Sequence, residues 1–212
     1  MAFPGLFAAP YRIAPWACET CGVPRLILAS SSPRRRLLLA SAGFEFDVDV
    51  PSVNEEPRVD EDPNRMVARL AREKSLAVPS EPGDVVLAAD TTVVLDGAIL
   101  GKPADEEEAV EMLLSIAART HVVLTGWALS RAGSIIEEGF ESSLVSMRDV
   151  NRAEAEAYAA SGEPLDKAGA YALQGEGSRF VTGVVGPRSN VIGLPLRTIV
   201  AALHRVGVEP RR

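Results

Sequence analysis

The chain has 212 residues, a net charge of −7, 47% hydrophobic residues and 24% charged ones. That length buries a substantial core, in one domain or one domain with two lobes. The acidic balance excludes a general affinity for nucleic acid or anionic membrane, since both require a basic field, and no apolar run approaches the roughly 20 residues of a membrane helix. An anion bound by this chain has to be met in a local pocket.

Residues 1–24 lack a basic leader and are broken by prolines. They read as a poorly ordered N-terminal extension, not as a signal peptide. Cys18 and Cys21, the only cysteines, form a lone CxxC there. A redox pair, half a zinc site and chance are all open; with no second ligand pair and only two histidines, chance leads. Few cysteines fit a cytoplasmic protein.

The folded domain is predicted to span residues 25–212. Leu26–Ala29 is a short apolar run that ends in turn residues, so a buried strand. Ser32 can cap the next helix, with Pro33 at its first position, and Gly43 ends it. Residues 44–50 alternate as a strand does. A polar loop follows through Asn54, Glu55 and Glu56, and Asp62-Pro63 opens a helix whose Met66, Val67, Leu70 and Ala71 share a face.

Residues 85–89 form a second apolar strand that ends on Asp90-Thr91-Thr92. Residues 93–95 and 98–100 flank Asp96-Gly97, a hairpin signal. Asp105 begins a third helix with three glutamates in its first turn, where the helix dipole favours anions. Residues 122–129 and 134–147 make a long hairpin about Arg131-Ala132-Gly133. Asn151 and Glu154 form a capping-box start for a helix stopped by Gly162. Glycine-rich loops and short strands run to Val191, and residues 195–206 are the last helix. The fold expected is α/β, with a mixed twisted sheet and helices on both faces.

Three stretches carry chemistry. The first, LILASSSPRRR at 26–36, empties an apolar strand into serines and arginines. A strand-to-helix junction exposes helix N–H groups, and guanidinium forks suit phosphate oxygens; the plainer reading is a capped helix with solvent-facing arginines. The second, AADTT at 88–92, ends a strand on an aspartate. Asp90 could take a proton from water, hold a divalent metal or merely start a turn. Nearby, Lys102 sits on a Gly-Lys-Pro turn, Lys74 on the second helix and Glu55 in the polar loop; any of them alone is ordinary surface chemistry. The third, GEPLDKAGAYALQG at 162–175, is a shaped loop in which the Gln174 amide could read a base edge. His121 and His204 are too few for a histidine-based triad or metal pair, and His121 reads as a structural strand residue.

Together LILASSSPRRR, AADTTV, LGKP, EPLDKAGAYALQG and NVIGLPL resemble, in order and spacing, the Maf nucleotide pyrophosphatases, also called septum-formation-inhibitor proteins. The resemblance runs from about Arg25 to Val206. It implies two lobes around a cleft, a fold related to the inosine-triphosphate pyrophosphatases, and hydrolysis of a nucleoside triphosphate between its α- and β-phosphates with a divalent cation, Mg or Mn. It implies Asp90 as proton acceptor and, with Glu55, as metal partner. Lys74 and Lys102 become catalytic cations, and Ser30, Arg34, Arg35, Thr91 and Gln174 substrate contacts. Arg34, Thr91 and Gln174 match the branch that acts on dTTP and UTP rather than the one that acts on 7-methyl-GTP.

The family also implies a homodimer, and the acidic balance already argues against nucleic acid and membrane as partners. Two departures stand out. Ala172-Leu173 replaces Gly-Ile, which would shift the loop if that glycine needs a positive φ, and Asn54-Glu55 replaces an acid pair, which would weaken metal binding. The alternatives are a nucleotide-binding regulator of cell division without turnover, and an enzyme that removes modified pyrimidine nucleotides.

Overall fold

The computed structural model describes residues 24–211. The Cys18–Cys21 pair and nearly all of the expected extension lie outside that range.

A seven-stranded mixed sheet organises the chain, in the order β2-β1-β3-β5-β6-β7, with β4 also paired to β3. β1 (Leu26–Ala29), β2 (Asp47–Asp49) and β3 (Val85–Leu95) run parallel. β4 (Ala98–Leu100), β5 (Thr120–Arg131), β6 (Ser134–Met147) and β7 (Val181–Val185) join antiparallel. Both hairpin turns follow their local signal: Asp96 and Gly97 have φ of 50° and 86°, Ala132 and Gly133 of 48° and 70°, the left-handed pair that matches strand twist.

The helices begin where capping chemistry places them. Ser32 accepts from the Arg35 N–H ahead of α1 (Pro33–Ser41), and Asp62 from the Asn64 and Arg65 N–H groups ahead of α2 (Pro63–Leu76). Asp105 caps α3 (Glu106–Ile116), and Asn151 with Glu154 closes a full capping box on α4 (Arg152–Ala159). A short α5 (Arg188–Ile192) lies where strands and loops were expected, and α6 (Leu196–Arg205) ends the fold.

Two predicted strands need correction. The 44–50 strand shrinks to three exposed residues at the sheet edge, because β2 has a partner on one side only; Phe44 instead plugs into the core. The 85–89 strand does not stop at Asp90. It continues unbroken to Leu95, since Asp90, Thr91 and Thr92 pair with Gly126, Thr125 and Leu124 of β5. A long-range ladder overrides the local turn chemistry of an aspartate.

This continuity gives two cores on one sheet face. Val85, Leu87 and Ala89 join Leu26, Leu28, Trp127, Leu129 and the Ile199, Ala202 and Leu203 face of α6. Further along β3, Val93 joins Val110, Leu113 and Ile116 of α3, with Tyr158 and Phe180. Between the two cores, Thr91, Thr125 and Ser143 form a polar seam, closed over by the buried Asn190, whose amide donates to the Val123 carbonyl and to Ser143 Oγ, both at 3.1 Å.

α2 covers the opposite face. There a Cβ on Gly126 would lie 2.2 Å from the Val67 carbonyl oxygen. Glycine is what lets the helix backbone rest on the sheet at the rung that holds Asp90. Helices thus flank the sheet on both sides.

Candidate active site

β1 pairs with β3 only at Val85–Leu87, and β4 only at Val93–Leu95. The β3 edge at 88–92 therefore has no ladder partner on that side. The gap opens both faces of the strand to one cleft of about 570 Å³, walled by residues from both lobes, a volume in the range of small-ligand sites. The gap explains how Asp90 and Thr91, on opposite faces of one strand, line the same cavity. Its walls also carry Ser30, Arg34, Arg35, Glu55, Lys74, Lys102 and Gln174. All nine site residues that the resemblance implied line this cleft, although Asp90 is mid-strand and not at a strand end.

The centre is an ion cluster. Lys74, buried on α2, places Nζ 2.6 Å from Asp90 Oδ1 and 2.8 Å from Glu55 Oε1. Lys102 stands 3.9 Å from the other Glu55 oxygen. Burial alone would raise the Glu55 pKa, but Lys74, then Lys102 and Arg35, outweigh it and hold the carboxyl below its ordinary value. The loop that carries Glu55 is tied to α2: Arg69 forks onto Glu61 at 2.6 and 2.7 Å and also donates to the Glu56 carbonyl at 3.3 Å.

Arg35 turns inward, against the plainer solvent-facing reading. It donates to the Gly193 carbonyl at 2.8 Å, to Ser30 Oγ at 3.3 Å and to Thr91 Oγ1 at 3.1 Å. Burial lowers its pKa, which leaves it charged all the same. Ser30 also accepts from the Ser32 N–H at 3.2 Å, so its oxygen already braces Arg35 and the turn. Arg34 is at the mouth, 3.4 Å from Asp166 across the cleft, and Gln174 is exposed on the rim.

Three residues were missed. Lys167 and Asp166 line the cleft and pair with each other; both stood in the LDK stretch of the quoted loop. Glu163 fixes that loop, accepting from Tyr158 Oη at 2.7 Å and from the Glu176 and Gly177 N–H groups at 3.1 Å. The positive φ values in the loop fall on Gly162, Gly169, Ala170 and Gly175, not on Ala172, so alanine there imposes no strain. Asn54 accepts from the Glu56 N–H at 3.0 Å in a local turn.

His121 is buried, 2.8 Å from Tyr171 Oη, and burial lowers its pKa to about 4. It is structural, as expected.

Among the described residues no group of three or more His, Cys, Asp or Glu could hold a metal. Glu55 and Asp90 are nonetheless two hard-oxygen donors held on one ammonium. That set fits a cation such as Mg²⁺, which takes one or two carboxylates and completes its shell with water and phosphate.

A mixed α/β fold whose sheet parts around a buried carboxylate, ringed by Arg34, Arg35, Lys74, Lys102 and Lys167, defines a protein built to hold a polyanion against a reactive group. The family model described as Maf-like protein matches residues 25–206, and the chain belongs to that family. A dTTP/UTP pyrophosphatase of Myxococcus xanthus is 51% identical over 86% of this chain and 93% of its own. One of Methylococcus capsulatus is 47% identical over 89% and 94%, and one of Desulfotalea psychrophila 46% over 86% and 94%. Among solved structures, a HAM1 protein from Coxiella burnetii aligns over 86% of this chain and 99% of its own at 16% identity, with a TM-score of 0.48.

Proposed function

We propose that this chain hydrolyses dTTP and UTP between the α- and β-phosphates, releasing the monophosphate and pyrophosphate. The observation that carries the reading is the Glu55–Lys74–Asp90 cluster at the sheet gap, faced by the arginines and lysines of the cleft. The names of the curated relatives point to the same substrates.

Lys74 engages Oδ1 of Asp90, and Oδ2 is the oxygen left to take a proton from water. The water oxygen then attacks the α-phosphorus, the bond to the bridging oxygen breaks and pyrophosphate leaves. Arg34, Arg35, Lys102 and Lys167 neutralise the non-bridging oxygens as charge develops, and their fixed positions supply much of the catalysis. Glu55 and Asp90 would hold a divalent cation, which when bound neutralises phosphate charge. Lys74 keeps these two carboxylates together before either meets substrate. Gln174 on the rim offers an amide to the base.

The test is pyrophosphate release from dTTP, UTP, CTP, GTP and 7-methyl-GTP with Mg²⁺, Mn²⁺ or chelator. Preference for dTTP and UTP is expected. Release of orthophosphate, or preference for 7-methyl-GTP, would overturn the reading, and full activity in chelator would remove the cation.

A further inference from the structure

Thr91 is partly exposed on the cleft wall, while Thr125 behind it on β5 is fully buried. Their hydroxyl oxygens are 2.9 Å apart, and the distance alone does not say which donates. The surrounding bonds decide. A threonine hydroxyl has one proton and two lone pairs. Thr125 Oγ1 lies 3.0 Å from the Asn190 backbone carbonyl, which can only accept, so its proton goes there. Thr125 then accepts from Thr91. Thr91 in turn accepts from Arg35 Nη2 at 3.1 Å. The Thr91 proton therefore points into the protein, and one of its two lone pairs is left for a donor from the cleft. Reversing the pair would forfeit the bond from Thr125 to Asn190 and leave the Thr91 proton without a protein acceptor.

We infer that Thr125 is a specificity-determining positioning residue: by setting the direction of this relay, it makes Thr91 an acceptor-only contact that selects ligands offering an N–H or O–H at that point. The inference rests on the nucleotide reading above. Within it, the donors available are the imide N–H of uracil or thymine and a sugar hydroxyl, whereas the ring nitrogen of cytosine at the imide position offers only a lone pair.

Thr125→Val keeps the side-chain shape and removes the relay. The Asn190 carbonyl retains the Gly193 N–H at 2.9 Å, so no buried carbonyl is orphaned, and the Thr91 proton is free to turn toward the ligand. The experiment compares kcat/KM for UTP, dUTP and CTP in the wild type, Thr125→Val, Thr125→Ser, Thr91→Val and the double valine variant. The UTP-to-CTP ratio should fall about tenfold in Thr125→Val and recover in Thr125→Ser. On the Thr91→Val background the second substitution should leave the ratio unchanged. A fall in the UTP-to-dUTP ratio alone would support the relay and assign the donor to the sugar. A folded Thr125→Val with both ratios unchanged, or with an equal effect in the absence of the Thr91 hydroxyl, would overturn it. Thr125→Ala serves if the valine variant does not fold. Equilibrium binding of the same nucleotides yields the ratios independently, so a wild type without turnover would sink the proposed activity while the relay stands or falls on binding.

Discussion

Lys74 and β3 fix Asp90 from two sides, and a substitution that keeps its shape isolates its charge and tests the proton-acceptor role proposed for it. Asp90→Asn should fold normally and lose at least about 10²-fold in kcat; circular dichroism with pyrophosphate release checks both halves, and near wild-type turnover would remove Asp90 from the mechanism. His121 makes a different statement. Burial lowers its pKa to about 4 from 6.5, so between those values the unfolded chain binds a proton that the folded chain refuses. Stability is therefore fully present above about pH 6.5 and falls as pH drops toward 4, by about 2 kcal/mol between pH 7 and 5. Urea titrations should show that slope, and His121→Gln should flatten it, because the other histidine, His204, lies on the surface. AADTT marked Asp90 as a candidate but left base, metal ligand and turn former open; the inward turn of Arg35 could not be read, because its partners Gly193 and Thr91 lie far along the chain.

Elements with local causes were readable and those with distant causes were not. Asp105, the Asn151–Glu154 box and Asp96-Gly97 each satisfy backbone groups within a few residues, so the sequence shows them directly. The run of β3 through Asp90-Thr91-Thr92 depends on β5, more than thirty residues later, and the sheet gap depends on β1 and β4 stopping short. The fit of α2 onto the sheet belongs to the same class. Gly126→Ala would drive a Cβ into the Val67 backbone, which cannot rotate away. The helix must lift, at about 1–3 kcal/mol or more, and Lys74 lifts with it. The expected outcome is a lower Tm together with an activity loss at 20 °C beyond what the unfolded fraction explains. Unchanged kinetics in the folded fraction would show that the Lys74–Asp90 contact survives without the close approach.

For the whole molecule, a net charge of −7 coexists with a cleft where Arg34, Arg35, Lys74, Lys102 and Lys167 outnumber Glu55, Glu56, Asp90 and Asp166. Attraction for a triphosphate is therefore local and screened by salt. kcat/KM for UTP should fall between 50 and 500 mM KCl, mainly through KM. A non-hydrolysable α,β-methylene analogue that occupies this cleft should bind the folded state and not the unfolded chain. At 100 times its Kd it should add about 2.7 kcal/mol, about 5–10 °C in Tm for a chain of this length. An unchanged Tm at saturating analogue would show that the cleft does not hold the triphosphate. The resemblance carried by five motifs implied two lobes. That both lobes sit on the same strands was not implied, since motif spacing carries no strand length.

That sharing sets the mechanics of the protein. β3, β5 and β6 run unbroken from one core into the other, so the lobes are joined as two loads on one leaf spring and not as two plates on a pin. Continuous strands and not a flexible linker join the two cores, so the cleft walls do not swing apart as plates about a hinge. Native-state hydrogen exchange should accordingly find the β5 amides at Val123 and at Leu129, which lie in different cores, opening in one cooperative step.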